Sequence, residues 1–157
     1  MSIPLEGSLS HKDSTGSSGI IQKGEIQFMS AGTGVTHSEM NASSTEDVKF
    51  LQIWIIPNKM NITPRYVQLQ YELEDNNLKT LIQPTQSEGT LRLQQDAWFK
   101  IGKFNAGTST KLNVENSKSN GIYVFVLKGE INIDGTILNT RDAIGIWETD
   151  FVDITII

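Results

Sequence analysis

The sequence predicts an all-β protein, and three observations carry that prediction. Short β-branched or alternating runs recur along the whole chain, the breaks between them carry turn chemistry, and no segment sustains a helical stripe. Many short strands joined by regular turns build a sandwich, a jelly roll or a barrel.

In chain order, the strand-type runs are Ile20-Ile21, Glu25 to Met29, Lys49 to Ile56, Thr90 to Leu93, Gly121 to Leu127, Glu130 to Ile133 and Val152 to Ile156. Turn residues separate them. Asp13 to Gly19, Gln22-Lys23-Gly24-Glu25 and Asn105-Ala106-Gly107-Thr108 are rich in glycine and small polar residues, which accept tight backbone angles. Asp134-Gly135, flanked by alternating residues, predicts a tight hairpin. Pro57 to Tyr66 holds two prolines among polar residues and suits an extended connection rather than a core strand. A weak internal repeat adds organisation, because Pro4-Leu5-Glu6-Gly7-Ser8-Leu9 resembles Val126-Leu127-Lys128-Gly129-Glu130-Ile131, each followed by a turn and a further strand. Two tandem β-units are the simplest reading, with the boundary after the proline-bearing connection: residues 1–68 and 69–157.

Composition bounds the function. The apolar share of 38% with 20% charged residues is that of a soluble globular protein, and no apolar run approaches the roughly 20 residues needed to cross a bilayer. No membrane partner is expected. The formal net charge of -5, without a Lys/Arg cluster, argues against nucleic acid, whose phosphates require concentrated positive charge. The start of the chain lacks signal-peptide character, and the absence of cysteine removes disulfides and thiolate metal sites, so a cytoplasmic setting is expected.

Both histidines of the chain, His11 and His37, lie between Leu5 and Met40. In His37-Ser38-Glu39 an imidazole and a carboxylate stand two residues apart, and on a strand such a pair shares one face and can grip one metal ion. An imidazole nitrogen with a carboxylate oxygen suits iron, manganese, nickel, copper or zinc. The glycines of Ser30-Ala31-Gly32-Thr33-Gly34 lack the lysine and helix signal of a phosphate loop and are read as shaping the turn before His37. Glu6 and Glu25 stand beside turn glycines and are read as solvated turn carboxylates. Phe28, Met29, Trp54 and Ile56 are candidates for lining or backing an apolar pocket that would take a flat aromatic ligand.

LEGSLSHKDSTGSSG, GEIQFMSAGTGVTHSEMN and LQIWIIPNKMNITPRYVQL together resemble the pirin family of two-domain cupins, which includes bacterial pirin-like quercetin 2,3-dioxygenases. Weaker likeness continues through EGTLRLQQDA, VLKGEINIDG and AIGIWE, so the resemblance spans the chain. It implies a bicupin of paired double-stranded β-helix (jelly-roll) units with the first unit truncated. In the family the N-terminal barrel binds iron through three histidines and a glutamate and cleaves flavonols with dioxygen. His37 and Glu39 match the family's H-S-E segment and would be metal ligands by resemblance, with Glu39 the only candidate for a catalytic base. The family's H-P-H segment has no counterpart here, and by the cupin pattern it would lie upstream of Met1. The histidine matching His11 is not a ligand in the family, so His11 is expected beside the cavity, orienting a neighbouring group, with Asp13 and Ser14 shaping the turn that follows.

The resulting expectation is a pirin-like relative of metal-dependent, quercetinase-type dioxygenases, with an incomplete site for iron or another divalent transition metal and little or no activity as this chain. A flavonol-like aromatic would be the substrate. The alternative is a non-catalytic protein-interaction module of the pirin type. An unpaired sheet edge in the first unit would favour a homodimer.

Overall fold

The computed structural model describes all 157 residues, which form sixteen strands and no helix. The all-β expectation holds, and no helix is long and apolar enough to cross a membrane. The chain divides into two compact units, one of residues Met1–Glu72 with Thr80–Lys100, the other of Leu73–Lys79 with Ile101–Ile157. Each is described by itself.

The first unit contains two antiparallel sheets. One has the order β6-β1-β4-β7, from β1 (Ser2–Glu6), β4 (Glu25–Ser30), β6 (Lys49–Gln52) and β7 (Arg65–Gln70). The other has the order β3-β2-β5, from β2 (Ser8–Asp13), β3 (Ser18–Gln22) and β5 (His37–Asn41). Between β1 and β2 the chain turns at Gly7, whose positive φ of 67° and close approach to the Asp47 carbonyl both exclude a side chain. The end of β8 (Asn77–Gln83) pairs in parallel with β9 (Leu91–Arg92), and Leu81, Ile82 and Leu91 join Ile3, Leu9, Ile21, Ile26 and Phe28 among the buried apolar residues. The run read from Lys49 to Ile56 stops as a strand at Gln52, which pairs with Ser2. One further pair of backbone bonds joins Ile53 to Met1, after which the chain leaves the ladder.

Unit 2 is built from β11 (Ser109–Asn113), β16 (Phe151–Ile156), β13 (Ile131–Ile133) and β14 (Thr136–Leu138) in that order, with β12 (Ile122–Phe125) and β15 (Ala143–Ile146) as a separate pair. Strand β10 (Phe99–Lys103) leads into it. The predicted hairpin at Asp134-Gly135 joins β13 to β14, with Ile133 opposite Thr136. Both turn residues have positive φ, 48° and 88°, the twist that a two-residue antiparallel turn requires. Strand β16 alternates exposed and buried residues, and its Val152 and Ile154 form the core with Val126, Ile133 and Leu138.

Candidate functional site

The site is assembled by register. Strands β2 and β5 pair with His11 opposite Glu39 and Asp13 opposite His37. Because side chains alternate along each strand, these four chemistry-bearing residues occupy one face as a two-by-two block. The sheet β6-β1-β4-β7 contributes a second set. Ser2 lies opposite both Gln52 and Gln27, and Gln27 lies opposite Gln68, so one row of residues across all four strands is polar: Gln52, Ser2, Gln27, Gln68.

Two members of that row hold Glu39. The Ser2 hydroxyl donates to Glu39 Oε1 at 2.9 Å and the Gln52 amide donates to Oε2 at 2.7 Å. Both carboxylate oxygens are thereby fixed in place. On the other side of the block, Asp13 Oδ1 accepts from the Thr15 amide at 2.9 Å, the Thr15 hydroxyl at 2.6 Å and the Ser17 amide at 3.0 Å. These bonds, led by the Thr15 hydroxyl, hold the Asp13 carboxyl well below the usual carboxylate range.

An ionised carboxylate only accepts hydrogen bonds, so His11 Nε2, 3.2 Å from Asp13 Oδ2, carries the hydrogen. This bond fixes the orientation of the ring and turns Nδ1 towards Glu39. That atom is buried without a hydrogen-bond partner and faces Glu39 Oε1 at 3.8 Å. The His11 ring stacks on Tyr66 at 4.5 Å between centroids, and the His37 ring lies 5.7 Å away on a plane inclined by 25°. Burial first, and then the negative charges of Asp13, Glu39 and Glu25, push the Tyr66 hydroxyl up to about 12. It donates to Gln68 Oε1 at 2.9 Å, and only a residue without a side chain at Gly19 leaves room for this pair.

A cavity of about 450 Å³ opens in unit 1, with Gln27, His37, Glu39 and Gln52 on its polar wall and Met29 and Ile53 among its apolar lining. Trp54 stands at its rim, 85% exposed, and Phe28 reaches the wall from the core side, 4% exposed. His11 is not part of the lining but stands beside Glu39, its cross-strand neighbour, which is. Ile56, grouped with these residues from the sequence, lies outside the lining and is 86% exposed, because the chain has left the sheet by that point.

As a metal centre this donor set is insufficient. No three His, Asp or Glu side chains come together as a metal-binding group. His37 and Glu39 supply two donors, while the other imidazole, His11, lies almost parallel to His37 and so does not aim its lone pair at a common point. Stable sites for transition metals take three or four ligands, so these residues alone do not fit one.

Sequence reasoning missed Ser2, Gln27, Gln52, Tyr66 and Gln68. A faint signal exists for Gln27: in Glu25-Ile26-Gln27-Phe28-Met29 the apolar Met29 shares its face, so that face is covered rather than solvated.

Residues 1–55 match the family model described as Pirin, and residues 80–157 match that of the quercetinase C-terminal cupin domain. The chain is 33% identical over 150 residues to the quercetin 2,3-dioxygenase of Escherichia coli K12, an alignment covering 96% of this chain and 64% of that protein. It is 52% identical over 75 residues to a putative quercetin 2,3-dioxygenase of Mycobacterium tuberculosis, covering 48% of this chain and 30% of that one. The crystal structure of YhhW from Escherichia coli superposes with a TM-score of 0.93 at 32% identity, covering 99% of this chain and 65% of YhhW. A second structure, of the bacterial pirin YhhW in complex with nickel(II), gives 0.90 at 32% identity over 98% of this chain and 65% of that one. The chain thus spans just under two thirds of the length of these Escherichia coli relatives.

Proposed function

Because the chain belongs to the pirin family of cupins, we propose that its first unit carries part of the metal and ligand site of a quercetinase-type dioxygenase. His37 and Glu39 are two of the metal ligands in this reading, the remaining ligands come from outside these 157 residues, and the chain alone has little or no activity. The observation that supports it is that His37 and Glu39 project from one strand face onto the wall of a cavity of about 450 Å³, a volume suited to a single aromatic molecule of flavonol size. When bound, the metal, iron or another divalent ion, would organise substrate and dioxygen. This chain's own residues hold Glu39 rigidly through Ser2 and Gln52 and enclose the ligand in an apolar wall.

Titration of the isotope-labelled chain with nickel(II), followed by the paramagnetic loss of NMR signals, tests the ligand assignment. Signals around His37 and Glu39 should broaden first and be spared in His37→Ala. Broadening that begins elsewhere, or that survives the substitution, refutes the assignment. Elemental mass spectrometry tests the second half of the reading: near-stoichiometric metal in the isolated chain, lost in His37→Ala, would show that the set is complete within it.

A second reading, the non-catalytic interaction module, draws on one observation. Strand β6 is a sheet edge, and Trp54 and Ile56 just beyond it are 85% and 86% exposed. Such an edge invites pairing with a second copy of the chain. A stable monomer by light scattering at high concentration would remove that homodimer.

A further inference from the structure

The polar row across β6-β1-β4-β7 holds one residue whose role the arrangement around Glu39 does not explain. Ser2 and Gln52 bond Glu39, and Gln68 accepts from Tyr66 and donates to the Ile20 carbonyl at 3.1 Å. Gln27, at the centre of the row, is 1% exposed, and no protein group hydrogen-bonds its carboxamide. Its neighbours Ile26 and Phe28 are buried on the opposite face, so the amide is committed to the cavity side, where it lines the wall beside His37 and Glu39. His11 Nδ1 is the one fully buried side-chain polar atom without a partner, so the Gln27 amide is not sealed in the interior but opens on the cavity, where a ligand can meet it.

We infer that Gln27 is the residue that recognises the ligand's polar edge in this cavity, an inference that rests on the aromatic-ligand reading above. A primary carboxamide offers an N–H donor and a C=O acceptor side by side. The complementary ligand edge carries an acceptor and a donor on neighbouring atoms, as a vicinal hydroxyl and carbonyl do on a planar ring system. The apolar part of the lining, with Met29 and Ile53, supplies contact but no discrimination between a hydroxylated ring and its deoxy counterpart. A wall of that kind separates such analogues poorly, whereas a buried amide left unpaired by the wrong ligand separates them well. Gln27 is therefore the selectivity element, while Ser2 and Gln52 hold Glu39 in place for its role as a ligand.

The test uses the full chain with two probes that differ by one group, 3-hydroxyflavone and flavone. Binding is read from the quenching of tryptophan fluorescence, to which Trp54 at the rim contributes. The native chain should bind 3-hydroxyflavone about tenfold more tightly than flavone, equivalent to about 1.4 kcal/mol. Gln27→Leu and Gln27→Met should bring the two dissociation constants within about twofold of each other, with flavone bound at least as well as before. A second readout needs no ligand: both variants should melt close to the native temperature, because no hydrogen bond within the protein is removed, whereas loss of a structural hydrogen bond would lower it. Discrimination that persists in the variants, or a native chain that binds both probes equally, overturns the role of Gln27 while leaving the aromatic-ligand reading intact. If the native chain binds neither probe, the aromatic-ligand reading fails and the role of Gln27 falls with it.

Discussion

The interiors of the two units are made from similar short strands but are filled differently. All four buried polar side chains of the protein, Ser2, His11, Asp13 and Gln27, belong to the first unit. The core of the second is aliphatic throughout: Val126, Ile133, Leu138, Val152 and Ile154, backed by half-buried leucine, valine and isoleucine. Polar groups inside a protein cost free energy unless they are bonded, and the first unit meets most of that cost with registered hydrogen bonds. One buried polar atom stays unmet, His11 Nδ1, and the Glu39 carboxylate it faces lines the cavity. The difference teaches that one copy of a shared strand plan is organised around a site while the other is organised around packing.

The sharpest way to break this comparison is to damage the packing unit and look for an effect on the site. Ile133 is 1% exposed and central to its cluster. Ile133→Ala should destabilise unit 2 by about 3 kcal/mol, the sum of lost transfer energy and the void left behind. Urea unfolding followed at Trp147 would measure it. Nickel-induced broadening at His37 should be unchanged under native conditions. A parallel loss of broadening at His37 would show that the polar interior depends on the aliphatic one.

An intermediate effect belongs to the polar interior. The Asp13 carboxyl is held below its ordinary value of 3.8 by the Thr15 hydroxyl first and then by the bonds from His11, Ser17 and the Thr15 amide. A folded-state value depressed in this way contributes stability that is fully present above about pH 4 and is lost as pH falls through 3.8 towards the folded value. Asp13→Asn should therefore lower the melting temperature at neutral pH and flatten its decline in acid. At the alkaline end, Tyr66 is raised from 10.0 to about 12, so its contribution is present below pH 10 and disappears between 10 and 12. Tyr66→Phe should remove that alkaline limb. An acid limb as steep in Asp13→Asn as in the native chain would assign the decline to other carboxylates.

The same contrast explains what the sequence revealed. The aliphatic unit was legible: β16 alternates strictly, and the two-residue turn at Asp134-Gly135 names its own geometry through two positive φ values. Strand β11, Ser109-Thr110-Lys111-Leu112-Asn113, was not, because its residues favour loops and its strand character comes from pairing along its whole length with β16. Strand β7 was hidden in the same way by its glutamines. In the site, His37 and Glu39 were visible because a spacing of two on one strand is a local signal. Ser2, Gln27, Gln52 and Gln68 are separated by 16 to 66 positions in the numbering and share a row only through strand register, which no local pattern encodes.

The smallest expected effect lies on the surface, where the two units should cease to differ. In the first, Lys49 Nζ meets Glu6 Oε2 at 2.7 Å with both side chains about 60% exposed. In the second, Lys111 Nζ lies 3.7 Å from Asp153 and 3.6 Å from the centre of the Phe151 ring. Water and salt screen the exposed ion pair, so Lys49→Met should change stability by less than about 0.5 kcal/mol. Lys111→Met loses a weak ion pair and a cation–π contact worth about 0.5–1 kcal/mol at an exposed site, part of which the methionine regains by lying against the same ring. Paired urea titrations at low and high salt would resolve these terms. If Lys49→Met were as costly as Ile133→Ala, the contrast between the units would have to be sought in their surface charges. The buried hydrogen bonds of one unit and the buried methyl groups of the other predict that it will not be.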